Sequence, residues 1–192
     1  MALKTLTYER VESVFNEIKD FPYGIVTSKG KVLYDSDEYS DMINITPKEF
    51  IEKYRTGTCL DTVEYQYYML KDLKPKKIYV ETEVGEAHVV VAIIDHDMKK
   101  WLVSEASFKK YLGIHEFNTF NQILKYVEDI QCKHFNRKHC SIIDYTNVKM
   151  KYHLNYEEFW ELMWTKGKIL KSVKKEYDLN DPRQKRNYII WL

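Results

Sequence analysis

The chain has 192 residues and a net charge of +1, with 30 basic and 29 acidic side chains, and 44% of its residues are hydrophobic. This is the composition of an ordinary globular protein, and the balanced charge gives no electrostatic basis for nucleic acid as a partner. Because three cysteines are too few for a disulfide framework, and because neither a signal-peptide core nor a membrane-spanning stretch is present, we expect a cytoplasmic chain with one domain over residues 1–192.

The first part of the chain predicts a helix followed by a hairpin. Apolar residues at a helical period indicate a helix over residues 7–20, with Thr7 as a candidate cap. Strand-like runs on either side of residues 28–30 then predict a β-hairpin.

Two helices are predicted around the first cysteine. The earlier one covers residues 46–55 and begins with a capping box formed by Thr46 and Glu49. The later one should begin near Thr58 or Cys59 and run to about residue 73, because a proline follows shortly afterwards.

Three strands follow, over residues 76–84, 87–96 and 99–107, and residues 96–99 join the second and third as a hairpin. Helical periodicity returns over residues 118–135.

The last part of the chain predicts one more strand over residues 141–148 and a closing helix over 155–173, with no assignment for 181–192. Helices precede an antiparallel sheet in this order, so the sequence predicts an α+β fold.

The stretch RTGTCLD places Cys59 at the start of a predicted helix, directly after Gly57 and Thr58. A helix N-terminus favours a thiolate, and a neighbouring glycine lets other atoms approach closely. Taken alone, however, a cysteine is more often a buried structural thiol. The choice between these two interpretations depends on which side chains the fold brings to Cys59.

A histidine and an acid lie on neighbouring predicted strands, His88 on one and Glu105 on the next. A turn at residues 97–98 pairs residues whose numbers sum to about 195, so His88 faces a position two residues beyond Glu105. A small register shift or bulge lets both side chains point to one face of the sheet. If the N-terminus of the Cys59 helix packs on that face, the three groups converge.

A thiol, an imidazole and a carboxylate in this arrangement form a nucleophile with its general base and an orienting acid. The helix dipole and a protonated His88 would favour the thiolate of Cys59. Glu105 would fix the tautomer of His88 and stabilise its charge. Backbone N–H groups at the start of the helix would face an acyl oxyanion.

Three motifs in order give the chain a family resemblance: Gly57-Thr58-Cys59-Leu60-Asp61, then His88 before an apolar strand, then Trp101 through Glu105 followed by Gly113-Ile114-His115. The pattern resembles the transglutaminase-like superfamily of papain-like cysteine enzymes. Within that superfamily it is most similar to small bacterial and phage members with Cys-Trp-Asp, Trp-x-x-x-Glu and Gly-Ile-His. The likeness covers about residues 46–130.

The resemblance implies a nucleophile helix packed on an antiparallel β-sheet, with extra C-terminal helices. It implies Cys59 as the nucleophile, His88 as general base and acid, and Glu105 as the orienting acid. The sequence departs from the pattern in two places. Leu60 replaces the usual tryptophan beside the nucleophile, and the acid is glutamate instead of the commoner aspartate, which lengthens its reach by one methylene.

Further site residues are expected around these groups. The predicted substrate contacts are Thr58, Leu60, Trp101 and His115. Candidates for an oxyanion side chain are Tyr54, Thr56 and Gln66, and the sequence does not choose among them. We expect Asp61, in the first turn of the helix, to complement the helix dipole instead of taking part in chemistry.

Residues 132–140, CKHFNRKHC, contain two cysteines and two histidines. Structural zinc sites use paired ligands separated by a longer span, so this stretch is more typical of a basic helix C-terminus that interacts with its own dipole. A calcium loop of the Asp-x-Asp-x-Asp-Gly kind is absent from the sequence. We therefore expect no metal and no cofactor.

Two functions fit the sequence. The first is a cysteine-dependent acyl-transfer enzyme acting on a peptide or protein substrate, in which water gives an amide hydrolase or deamidase and an amine gives a protein crosslinker. The second is a catalytically silent, transglutaminase-like binding or structural module, for example one encoded by a phage, which the loss of tryptophan at Leu60 favours. Neither nucleic acid nor a membrane is an expected partner, and the oligomeric state is left open.

Overall fold

The computed structural model describes residues 4–34 and 41–173, and these residues form an α+β fold with helices packed on an antiparallel sheet. The α-helices of these two ranges are α1 (Leu6–Ile18), α2 (Cys59–Met69), α3 (Phe120–Phe135) and α4 (Tyr156–Lys166). The strands are β1 (Gly24–Val26), β2 (Val32–Tyr34), β3 (Lys76–Thr82), β4 (Ala87–Asp95), β5 (Lys100–Glu105), β6 (Gly113–Phe117), β7 (Cys140–Asp144) and β8 (Lys168–Lys171). Segment 181–192 lies outside the described residues.

The main sheet has the strand order β6-β5-β4-β3-β7-β8, with every neighbouring pair antiparallel. Strands β3 to β6 form a meander, and β7 adds to the opposite edge of β3. Strands β1 and β2 form a separate hairpin, which confirms the turn predicted at residues 28–30. The three strands predicted after α2 are confirmed as β3, β4 and β5.

Helices cover both faces of the main sheet. Alternate residues of β4 divide between two cores: Val89, Val91 and Ile93 pack with α1, α2 and α4, whereas Val90 and Ala92 pack with α3. This alternation follows from the period of two along a strand. A strand such as β4 therefore reads as a continuous apolar run because it is buried on both faces.

Helix α2 is buried from Leu60 to Gln66. One of its contacts with the sheet is an ion pair, in which Lys77 of β3 donates to Glu64 over 2.9 Å with both side chains buried. The Lys77 ammonium also lies 4.6 Å from the ring centroids of Tyr67 and Tyr145. On the same strand, buried Glu81 accepts hydrogen bonds from the indoles of α4, that of Trp160 at 2.8 Å and that of Trp164 at 2.9 Å.

The helices predicted before the sheet are present, with shifted boundaries. Thr5 caps α1 by accepting from the N–H of Tyr8, so the prediction of Thr7 as the cap is wrong, and Thr7 lies in the first helical turn. The capping box of Thr46 and Glu49 is confirmed. It leads into a π-helix over Glu49–Tyr54 that stops at the left-handed Arg55.

Two elements at the edges of the sheet differ from the prediction. The closing helix ends at Lys166 because Gly167 is extended, and residues 168–171 pair with β7 as β8. A Cβ at Gly167 would lie 2.3 Å from Ile143, so the chain passes close to β7 at this glycine. Strand β6 was not predicted.

Helix α2 is shorter than predicted. It ends at Met69, and Lys71–Leu73 forms a separate 3₁₀ turn.

None of the helices within residues 4–34 and 41–173 has the length and apolar character needed to span a membrane.

Candidate active site

Asp61 holds the first turn of α2, where Cys59 is the first helical residue. Its carboxylate accepts from the N–H and hydroxyl of Thr58 at 2.8 and 2.9 Å, and from the N–H of Ile45 at 2.9 Å. Burial raises the pKa of Asp61 to about 6, although these hydrogen bonds act in the opposite direction. Asp61 is therefore a buried clamp on the cysteine-bearing turn, a larger role than complementing the helix dipole.

Gly57 is required by close packing. A Cβ at this position would lie 2.7 Å from the Cβ of Asp61 and 3.0 Å from the ring of Phe50. Contacts this short are not tolerated without movement of the neighbours. The glycine before the cysteine thus lets the Asp61 clamp approach the backbone.

The structure brings His88 and Glu105 together. The Nε2 atom of His88 lies 2.7 Å from Oε2 of Glu105, and both side chains are buried, with 6% and 1% exposed. Strands β4 and β5 pair in the predicted register, from Val91 with Ser104 to Asp95 with Lys100. The last pair of this ladder is Val91 with Ser104. His88 and Glu105 lie just beyond it, at the start of β4 and the end of β5, and their side chains meet there.

The other oxygen of Glu105 is held by the chain that follows it. Oε1 accepts from the N–H and hydroxyl of Ser107, both at 3.0 Å, and from the N–H of Phe108 at 2.8 Å. Burial disfavours the ionised carboxylate, but His88 and these hydrogen bonds outweigh it and lower the pKa of Glu105. Glu105 is a preorganised anion beside the imidazole.

Cys59 is partly exposed and lies close enough to His88 to contribute to the raised pKa of its imidazole. Burial disfavours the imidazolium, but Glu105 and Cys59 together outweigh it, so the pKa of His88 is raised to about 10. The structure thus brings His88 and Glu105 into contact and places Cys59 near them.

A cleft of about 400 Å³ lies among chain neighbours of these groups, although Cys59, His88 and Glu105 are not themselves in its lining. Gly57 and Thr62, on either side of Cys59 in the chain, line it, as does Ser107, which binds Glu105. Apolar side chains form much of the remaining lining: Ile18, Phe21, Phe50, Ala106 and Leu112. Lys19 and Lys109 add positive charge to it, and Asp20 adds a negative one.

The four predicted substrate contacts have the following surroundings. Thr58 and Leu60 are buried, and Leu60 packs in the core. The ring of Trp101 packs 5.0 Å from that of Phe120. His115 bonds to the carbonyl oxygen of Tyr111 at 2.8 Å. None of the four is among the residues that line the cleft.

Two of the oxyanion candidates have surroundings that limit them. The hydroxyl of Thr56 donates to the carbonyl oxygen of Pro22 at 2.8 Å, so it is already engaged. Gln66 is buried, and its amide forms no hydrogen bond within the described part of the chain. Tyr54 packs at the edge of the core.

The stretch at residues 132–140 does not gather its four potential ligands. The sulfur atoms of Cys132 and Cys140 lie 3.2 Å apart, and burial raises the pKa of both thiols. His134 instead packs its ring against Phe108. Throughout the described ranges, no group of three histidine, cysteine or acidic side chains could hold a metal ion.

Sequence reasoning missed Ser107 and Phe108, the two residues that hold Glu105 through backbone N–H groups. The available signal was local, since an acid two residues before a serine is typical of a side chain that bonds the following turn. The aromatic cleft residues Phe21 and Phe50 gave no such signal, because they come from separate parts of the chain.

Fold and site together define a class: an α+β protein with helices on an antiparallel sheet, a cysteine at the start of one helix and a buried histidine–glutamate pair on two neighbouring strands. No protein-family model matches the chain, and no curated protein does. Among solved structures it is similar to LapG of Legionella pneumophila, with a TM-score of 0.40, 21% identity and 59% of each chain covered. A calcium-bound LapG structure gives a TM-score of 0.36 and 20% identity over 60% of this chain and 67% of that one. In the first of these matches the chain spans about three fifths of LapG.

Proposed function

We propose that the chain is a cysteine-dependent acyl-transfer enzyme of the transglutaminase-like type, acting on a peptide or protein substrate. One observation carries this proposal: the buried imidazole of His88 lies 2.7 Å from Glu105, and the partly exposed Cys59 lies close enough to help raise the pKa of that imidazole. The order of motifs along the sequence gives separate support, because it resembles that superfamily. The cleft beside Gly57 and Ser107 offers room for the substrate.

The chemistry begins with the ion pair of a Cys59 thiolate and a His88 imidazolium. The thiolate sulfur attacks the carbonyl carbon of an amide or ester and forms a tetrahedral intermediate. N–H groups at the start of α2 face the developing oxyanion. His88 gives its proton to the leaving group as the carbon–heteroatom bond breaks, and a thioester on Cys59 remains.

The second half of the reaction releases the acyl group. His88, now neutral, accepts a proton from water or from an amine as that nucleophile attacks the thioester. The sulfur leaves as a thiolate, and the imidazolium is restored. Water gives a hydrolase or deamidase and an amine gives a crosslinker, depending on how far the cleft excludes water.

Thiol labelling tests the ion pair without a known substrate. We expect iodoacetamide to modify Cys59 rapidly at pH 6 in the wild type, and much more slowly at that pH in His88→Ala and Glu105→Gln. Mass spectrometry identifies the labelled cysteine, and Cys59→Ala should abolish rapid labelling, because Cys132 and Cys140 have raised pKa values. Labelling that rises only near pH 8.5, where a free thiol ionises, would instead support the silent binding module.

A second measurement distinguishes the two acceptors. Peptide libraries incubated with the protein, with and without a fluorescent primary amine, report cleavage or deamidation on the one hand and amine incorporation on the other. Either product must disappear in Cys59→Ala. A chain with rapid labelling at pH 6 but with neither product has a tuned thiol that lacks a substrate in the library.

A further inference from the structure

Phe108 contacts both partners of the buried His88–Glu105 pair. Its backbone N–H donates to Oε1 of Glu105 at 2.8 Å, and its ring lies edge-on to the imidazole of His88, with 5.2 Å between centroids. Backbone and side chain of this one residue thus act on different members of the pair.

A second histidine supports Phe108 from outside. The ring of His134, in the last turn of α3, lies 4.3 Å from that of Phe108 at an angle of 85°. The three rings of His88, Phe108 and His134 therefore form an edge-to-face stack, which runs from the buried pair to the protein surface. Tyr111 also packs on Phe108, with centroids 5.1 Å apart.

The charges around the stack are compatible with an imidazolium at His88. The groups that face His88 are Cys59 from α2, Glu105 from β5 and His134 from α3. Burial lowers the pKa of His134, and the positive charges of Lys110 and His88 lower it further. His134 is consequently neutral near pH 7 and adds no second positive charge to the stack.

We propose that Phe108, supported by His134, is a positioning residue that holds His88 against Glu105 and shields the pair from water. The inference rests on the proposed function, since it concerns the same imidazole. Water that reaches a buried ion pair raises the local dielectric constant and weakens the attraction between its charges. Without the ring, the imidazolium would be less favoured, and so would the thiolate that depends on it.

The pH profile of Cys59 alkylation tests this role. In Phe108→Ala, we expect the profile to move to higher pH by about one unit, which is a roughly tenfold lower rate at pH 6. Phe108→Leu, which keeps apolar cover, should move it less and guards against loss of folding in the alanine variant. The matched control is Phe120→Ala, a half-buried ring that packs on Trp101, and its profile should coincide with the wild type.

His134 provides an independent check. We expect His134→Ala to shift the profile in the same direction by a smaller amount, and His134→Phe to leave it unchanged, because phenylalanine supports Phe108 without titrating. Coincident profiles for Phe108→Ala, Phe108→Leu and the wild type would overturn the inference and leave the proposed function intact. A wild type that lacks rapid labelling at pH 6 would overturn both.

Discussion

Asp61 shows how a buried residue can fix the position of a candidate nucleophile two places earlier in the chain. Its carboxylate joins the start of α2 to Ile45, and the side chain is buried. In the sequence this acid looked like a common first-turn aspartate. Only its burial, which depends on Gly57 and Phe50 packing around it, shows that it holds the turn.

The raised pKa of Asp61 predicts a dependence of stability on pH. Because the folded pKa of about 6 exceeds the ordinary 3.8, the folded state binds more protons over that interval, and stability falls as the pH rises from about 4 to 6. We expect the unfolding free energy of the wild type, minus that of Asp61→Asn, to decrease by up to about 3 kcal/mol over this range. Urea unfolding at several pH values measures it.

Asp72→Asn is the control for this pH range. The exposed Asp72 has a pKa lowered by Arg10, so its contribution appears as the pH rises toward the ordinary 3.8 and is complete above that value. The corresponding difference should therefore stay constant between about pH 4 and 6 and decrease only in stronger acid. A difference for Asp61→Asn that does not change with pH would contradict the prediction.

At the scale of elements, the sequence predicts the helices and strands whose hydrophobic pattern matches the burial of their residues. β4 is a long apolar run, and its turn sets the register that places His88 near Glu105. β6 escaped prediction because four of its residues are only partly buried, Glu116 is exposed, and the pattern alternates weakly. β8 escaped because Ile169 and Leu170 continue a helical pattern across Gly167, and only packing against β7 makes the segment extended.

The residues of the candidate site were likewise predictable only where their signals are local in the sequence. Cys59, His88 and Glu105 follow from a helix start, a strand and a hairpin register, which are all local signals. The contact of His134 with Phe108 joins the end of α3 to the connection after β5, and nothing in either segment indicates that they meet. The cleft depends in the same way on α1 and the following segment, far from Cys59 in the chain.

The attachment of α2 to β3 gives a prediction at this scale. In Lys77→Met, Glu64 would be left as a buried charge without its partner, and burial already raises the pKa of Glu64. We expect a loss of about 3–5 kcal/mol in unfolding free energy. The double variant Glu64→Leu, Lys77→Met removes both charges and should recover most of that loss. Equal losses in the single and double variants would show that the ion pair is not what Lys77 contributes.

For the whole molecule, the buried pair of His88 and Glu105 is a source of stability that depends on pH. The pKa of His88 is raised from an ordinary value near 6.5 to about 10. A raised pKa stabilises the folded state fully below 6.5 and progressively less as the pH rises toward 10. The lowered pKa of Glu105 acts in the opposite sense, since its contribution is lost in acid.

We therefore expect the unfolding free energy of the wild type, minus that of His88→Gln, to fall between pH 6.5 and 9.5 by about 1 kcal/mol per pH unit. Guanidinium unfolding measures this, and the range stays below that in which buried tyrosines such as Tyr79 and Tyr145 ionise. A constant difference over this interval would mean that the folded state gains nothing from a proton on His88.

The strand order also determines what is unprotected while the chain is being made. β3 to β6 are complete once Phe117 has been synthesised, but β7, which covers the free side of β3, arrives more than twenty residues later. During that interval β3 exposes unpaired backbone groups to any other nascent chain. Lys77 and Glu81, which are buried charges in the finished fold, lie on this strand as hydrated ions that oppose pairing with a foreign strand. Charges on an edge strand are one means by which β proteins oppose edge-to-edge pairing.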